Sequence, residues 1–244
     1  ITGSHDYDEV IRVAALEGKT PEEIYQRLTI LDIQKAADLF HPTFEKAKGR
    51  DGFVSLEVSP HLAYDTEGTM AEARKLWKNV SRPNVLIKVP GTVQGIPAIK
   101  QLIREGVNVN ITLLFSLDRY EEIAEAYISG LENRLLDGKS LTEVASVASF
   151  FLSRIDVAVD PLLPAQSPLR GQTAIASAKI AYQKYQAIFS SERFMKLENQ
   201  GAKTQRLLWA RPRHTNPADS DVKYVEALIG PETVNTLPLA SLTA

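Results

Sequence analysis

The stretch Asn84-Val-Leu-Ile-Lys-Val-Pro90 sets the reading of everything around it. Val85, Leu86, Ile87 and Val89 leave no polar face, so the segment is a strand covered on both sides, as in a parallel sheet. Similar runs recur at Gly52–Ser59, Asn108–Phe115, Val144–Phe151, Arg206–Ala210 and Thr233–Pro238. Amphipathic stretches separate them, and that alternation argues for βα units.

The intervening helices have legible ends. Asp118 with Glu121 resembles a capping box, and Tyr120, Ile123, Ala124, Tyr127, Leu131 and Leu135 form a stripe at helical spacing. Gly138 stands where a left-handed C-terminal residue is favoured. Ser220 caps a helix carrying Val222, Val225 and Leu228, which Gly230 ends. A third helix follows Thr66, with Met70, Ala73 and Trp77 inward, and Arg82-Pro83 stops it; a longer one, rich in Ala, spans Gly171–Phe189. The first fifty residues differ, because Asp6–Glu17 and Pro21–Ala47 read as helices with no strand between them. Six parallel strands fit either an open doubly wound sheet or most of a barrel, and periodicity does not choose between them.

Composition narrows the function classes. With 244 residues, 44% of them hydrophobic and 24% charged, the chain fits a single α/β domain with a sizeable core. A net charge of −2 gives no reason to expect nucleic acid or an anionic membrane as partner. The absence of cysteine excludes disulfides, thiolate catalysis and Cys-ligated metals. No apolar run approaches the roughly 20 residues that cross a bilayer, and Ile-Thr-Gly-Ser-His-Asp-Tyr-Asp is not a signal peptide. Cytoplasmic is therefore the default location. The start also lacks Met, so a natural start farther upstream is expected.

Lys88 interrupts the most apolar strand. Burying an ammonium is costly, and the usual relief is a neutral amine, which can attack a carbonyl and form a Schiff base. The competing reading is a stem packed in the sheet with its head in water. Glu57 breaks Phe-Val-Ser-Leu-Glu-Val; Asn110 and Thr112 lie two apart and so share a face; Ser149 sits in Ala-Ser-Phe-Phe, and Arg154 follows just beyond. Each alone reads as a satisfied core polar residue or a cap. Together they place polar groups at the C-terminal ends of four successive strands, where barrels and open α/β sheets both build their sites. No Gly-x-Gly-x-x-Gly, Walker loop or serine elbow occurs, and His5, His41, His61 and His214 lack metal-ligand spacing.

Four strings carry a resemblance: Ser-Leu-Glu-Val-Ser-Pro-His-Leu-Ala-Tyr-Asp-Thr-Glu (55–67), Leu-Ile-Lys-Val-Pro-Gly-Thr (86–92), Gly-Val-Asn-Val-Asn-Ile-Thr-Leu-Leu-Phe-Ser (106–116) and Ala-Ser-Phe-Phe-Leu-Ser-Arg (148–154). In these the chain resembles the transaldolases, end to end, and most nearly the bacterial type sometimes fused to a glucose-6-phosphate isomerase. The resemblance implies an α/β fold of the (β/α)8 TIM-barrel type and transfer of a dihydroxyacetone unit between sugar phosphates in the pentose phosphate pathway. It implies Lys88 as the Schiff-base amine, Glu57 and Thr112 as holders of the water that shuttles protons, Asn110 on the bound unit, and Ser149 with Arg154 on the phosphate. No metal or organic cofactor is implied.

The resemblance also makes the strand of Lys88 the fourth of eight. The first, carrying an acid–base Asp, and the second, carrying Asn-Pro, are then expected ahead of Ile1, and a closing helix after the eighth strand is not seen. In the seventh strand relatives usually read Trp-Ala-Ser-Thr-Gly-Thr-Lys-Asn-Pro, whereas this chain reads Trp-Ala-Arg-Pro-Arg-His-Thr-Asn-Pro (209–217). That change puts Arg211 and Arg213 at the barrel mouth, and Arg213 is a candidate for a phosphate contact. Two alternatives stay open: a fructose-6-phosphate aldolase on the same barrel, and a non-catalytic barrel fragment acting as an interaction module.

Overall fold

The computed structural model describes residues 5–210, 220 and 222–237. Six strands are found among them: β1 (Val54–Glu57), β2 (Val85–Pro90), β3 (Val109–Leu114), β4 (Ser146–Phe151), β5 (Arg206–Ala210) and β6 (Thr233–Asn235). All pair in parallel, in one sheet whose order follows the chain. Each expected strand is present: Arg206–Ala210 keeps its bounds, and the others are trimmed at one or both ends; for the last, Pro238 lies outside the described residues. The helices are α1 (Asp8–Leu16), α2 (Pro21–Lys46), α3 (Thr66–Val80), α4 (Gly95–Glu105), α5 (Leu117–Leu136), α6 (Ser153–Val159), α7 (Thr173–Phe189), α8 (Glu192–Glu198) and α9 (Lys223–Leu228).

Alternation along the strands sorts two layers. Val85, Ile87 and Val89 of β2, Val109 and Ile111 of β3, Ala148 and Phe150 of β4, and Leu207 and Trp209 of β5 point outward and bury against the helices. Leu86, Val147, Phe151, Leu208 and Ala210 point the other way and form a second, smaller cluster with Phe53 and Val234. Both faces of the central strands are thus covered, which is why they read as continuous apolar runs.

The sheet curls. Arg50, just before β1, reaches Glu232, just before β6, at 3.6 Å, and the Lys203 amine donates to the Gly49 carbonyl at 3.1 Å. The first and last strands of the sheet therefore approach each other across the inner face. This is a partial barrel of the (β/α)8 type, and it settles the choice that periodicity left open between a flat sheet and a barrel.

Two local features fix where β1 and β2 start. Gly52 has φ +77°, and a Cβ there would lie 2.5 Å from the backbone nitrogen of Phe44, so only glycine lets the chain leave α2 so tightly. Asn84, fully buried, donates from Nδ2 to the Ala37 carbonyl in α2 at 2.8 Å and to the Gly52 carbonyl at 3.0 Å. One side chain thereby ties helix, loop and strand together.

Some helix ends differ from expectation. The α5 cap is Ser116, whose hydroxyl accepts from the Arg119 amide at 3.3 Å, so Asp118 and Glu121 are not a capping box. Ser116 adopts the extended backbone a cap needs, while Asp118 already lies in the first helical turn, where its charge suits the helix dipole. The stripe from Tyr120 to Leu131 is buried as expected, but Leu135, in the last turn of α5, is exposed. α9 starts at Lys223, with Ser220 Oγ accepting from the Val222 amide, one residue before the helix. Helix α2 contains Pro42, which has no N–H to give the Asp38 carbonyl, yet the helix runs on to Lys46.

Strand β3 carries an irregularity near the inner face. Ile111 pairs with Ala148 but Leu114 pairs with Phe150, so three steps on β3 match two on β4. This is a bulge of one extra residue. Leu113 takes it up with φ +65°, a left-handed conformation that costs a non-glycine residue about 1–2 kcal/mol.

Candidate active site

Register alone assembles the centre of the site. Glu57 of β1 pairs with Lys88 of β2, and Lys88 pairs with Asn110 of β3, so three polar side chains stand in one row on the inner face. The Lys88 amine lies 3.6 Å from a Glu57 carboxylate oxygen. Thr112 is one step further along β3 on the same face, paired with Pro90.

The row is cross-linked. Ser149 Oγ of β4 donates to Asn110 Oδ1 at 2.7 Å, and Asn110 Nδ2 donates to Ser55 Oγ at 3.1 Å. Asn110, Thr112 and Ser149 are buried. The amide of Asn110 keeps a second N–H and a second lone pair with which to meet a ligand. These groups line a cavity of about 470 Å³ together with Lys88, Ser55, Phe151, Arg206 and Asn235, which matches a small-molecule site in size.

Two expectations about burial need correcting. Glu57 is not a core residue: its side chain is 49% exposed. Lys88 is 27% exposed rather than sealed in the sheet, because its part of the inner face opens on the cavity. Its stem is held in the sheet and its amine stands in a polar cleft. Burial therefore does not set this amine apart, and Glu57 is the carboxylate that stands beside it.

Arg154 lies in the first turn of α6, with its guanidinium carbon 5.0 Å from the centroid of the Phe151 ring. Phe151 in turn packs against Phe115, centroids 5.3 Å apart. A ring that lines the cavity thus carries the cation at its rim. Helix α6 is held in place by buried Asp156, which accepts from Tyr224 Oη at 2.6 Å and from the Ala174 amide at 2.8 Å. Arg213, and the change at 211–215, lie outside the described residues.

Sequence reading missed Ser55, Asp156, Arg206 and Asn235. Ser55 was findable, since it precedes Glu57 by two and so shares its face. Asp156 looks like any acidic residue in a first helical turn, and its burial depends on α7 and α9. Asn235 ends β6, and its buried Oδ1 finds no donor among the described residues. Its place on the cavity follows from the curl of the sheet, which no local pattern encodes.

Fold and site together define a class, a parallel α/β barrel-type enzyme with a lysine amine among polar groups on its inner face. The chain belongs to the transaldolase/fructose-6-phosphate aldolase family, whose pattern matches residues 1–244. It is 47% identical to a transaldolase of Saccharopolyspora erythraea over 247 residues, covering 100% of this chain and 67% of that protein. It is 47% identical to a transaldolase of Trichodesmium erythraeum, covering 100% and 68%, and 46% identical to a transaldolase 2 of Nostoc, covering 98% and 66%. The chain thus spans about two thirds of the length of these curated relatives. No helix among the described residues is long and apolar enough to cross a membrane.

Proposed function

We propose that the chain carries the Schiff-base centre of a transaldolase, which moves a dihydroxyacetone unit from a ketose phosphate to an aldose phosphate. The observation that carries the reading is the row Glu57–Lys88–Asn110, in which an amine nucleophile is flanked by a carboxylate and an amide. Family membership and relatives named transaldolase support it.

In this reading the Lys88 amine, its proton passed to Glu57 through water, adds to the C2 carbonyl of the donor. The carbinolamine loses hydroxide as water, with Thr112 and Glu57 holding the molecule that delivers the proton. The iminium accepts the electron pair of the C3–C4 bond as that bond breaks, leaving an enamine on Lys88 and a free aldose phosphate. The C4 hydroxyl proton goes to a base, a role the family resemblance gives to an aspartate expected ahead of Ile1. The enamine then attacks the acceptor aldehyde, and hydrolysis restores the amine. Asn110 holds the three-carbon unit, and Arg154 takes the distal phosphate by a charge-assisted contact, with Ser149 beside it. Cytoplasmic sugar metabolism through the pentose phosphate pathway is the setting this chemistry fits.

Borohydride reduction in the presence of fructose 6-phosphate tests the reading. The expected outcome is one adduct, mapped to the peptide containing Val85–Pro90, and none in Lys88→Ala. An adduct on another lysine would sink it. Release of free dihydroxyacetone without acceptor would instead assign the aldolase activity.

A further inference from the structure

We infer that Leu113, which touches neither substrate nor amine in the proposed chemistry, is a positioning residue, and that its left-handed backbone builds the shelf that aims Arg154 while Thr112 keeps its inward place. The inference rests on the Schiff-base reading of the site. Its basis is the phase of β3. Strict alternation from Asn110 would point Thr112 and Leu114 into the cavity and turn Phe115 outward.

The bulge changes that order after Thr112. Leu114 is fully buried in the outer core with Ile111, and not on the cavity. Its packing also accounts for Gly91, where a Cβ would come within 2.5 Å of the Leu114 side chain. Phe115 is brought to the rim, where it meets Phe151, and Phe151 carries the Arg154 guanidinium. Meanwhile Thr112 keeps its place on the inner face, its carbonyl accepting from the Gly91 amide at 2.8 Å. One extra residue thus keeps a leucine out of a polar cavity and builds the aromatic shelf under the cation.

A bulky residue at φ +65° is unusual, and such backbone cost persists where the surroundings impose it, often beside functional groups. Bulges next to active sites commonly re-aim side chains. The side chain of Leu113 is 38% exposed, so the position is not held by deep packing of the leucine itself. What matters is the conformation, which glycine adopts without strain and a β-branched residue resists.

The contrast between Leu113→Gly and Leu113→Val in the full chain tests this. Val is expected to slow both turnover and borohydride trapping by between about ten- and a hundredfold, the scale on which misplaced catalytic groups cost rate. It is also expected to raise KM for phosphorylated donors more than for dihydroxyacetone, since the Phe115–Phe151 shelf under Arg154 shifts. Gly should rescue both readouts. If the Val chain does not fold, Leu113→Thr, which is also β-branched and suits an exposed position, replaces it. Equal losses in Gly and in Val or Thr would assign the effect to the leucine side chain and overturn the inference, as would a β-branched variant with unchanged kcat and KM. Failure of the unsubstituted protein to trap at Lys88 would overturn it together with the reading it rests on, and so is told apart from failure of Leu113 alone.

Discussion

Arg154 is the residue whose surroundings say most about its use. Among the described residues its guanidinium lies against a ring rather than a carboxylate, so its positive charge is not already neutralised. A cation kept that way at a cavity rim is suited to a phosphate. Arg154→Ala is expected to weaken phosphorylated substrates by roughly ten- to hundredfold, about 1.5–3 kcal/mol, while leaving free dihydroxyacetone nearly unaffected. Binding measurements on both ligands check this, and equal weakening would make Arg154 structural. At this scale the site was largely legible, because Glu57, Lys88, Asn110, Thr112 and Ser149 are polar residues interrupting apolar strands. Their linkage was not. That Ser149 reaches Asn110 depends on the pairing of β3 and β4, and the left-handed turn at Leu113 leaves no mark in Asn-Ile-Thr-Leu-Leu-Phe, where alternation predicts the opposite facing of Leu114.

Between elements, the clearest polar joint is Arg193 of α8. It donates to both Glu125 carboxylate oxygens, at 2.6 and 2.9 Å, and to both of Glu132, at 2.7 Å each, clasping α8 to α5. The Arg193 hydrogen bonds hold the Glu125 carboxyl below its ordinary range. A carboxylate lowered in the folded state stabilises above its unfolded pKa and loses that stabilisation as pH falls through the folded one. Because these groups are well exposed, the network is worth about 0.3–1 kcal/mol. Arg193→Met should therefore unfold slightly more easily at neutral pH, and the gap from the unsubstituted protein should close below about pH 4, under the ordinary Glu value. Urea titrations at several pH values measure that gap; one that stays the same from neutral pH into acid would show that Arg193 acts through its stem alone.

For the molecule as a whole, the alternation of strand and helix was readable because parallel strands covered on both faces are uniformly apolar. The curl followed from the family resemblance and not from the pattern, since Arg50 and Glu232 are 182 positions apart and nothing in the local sequence of either points to the other. The two layers should respond differently to truncation. Ile87→Ala empties a fully packed site in the outer core and is expected to cost about 2–5 kcal/mol. Leu208→Ala removes atoms beside an existing cavity, so fewer contacts are lost and the cost should be smaller. Equilibrium unfolding of the two variants compares the layers directly.

Strand order that follows the chain has a consequence for how the protein comes into being. Each strand pairs with the one made just before it, so every βα unit can dock on its predecessor without waiting for distant sequence. The amine row is complete once residue 110 has joined β3, whereas Ser149 and Arg154 arrive with β4 and α6. A nascent chain would thus possess its nucleophile before the groups proposed to select the substrate. Modification of Lys88 by small carbonyl compounds during synthesis can then serve as a clock for the order in which the sheet is laid down.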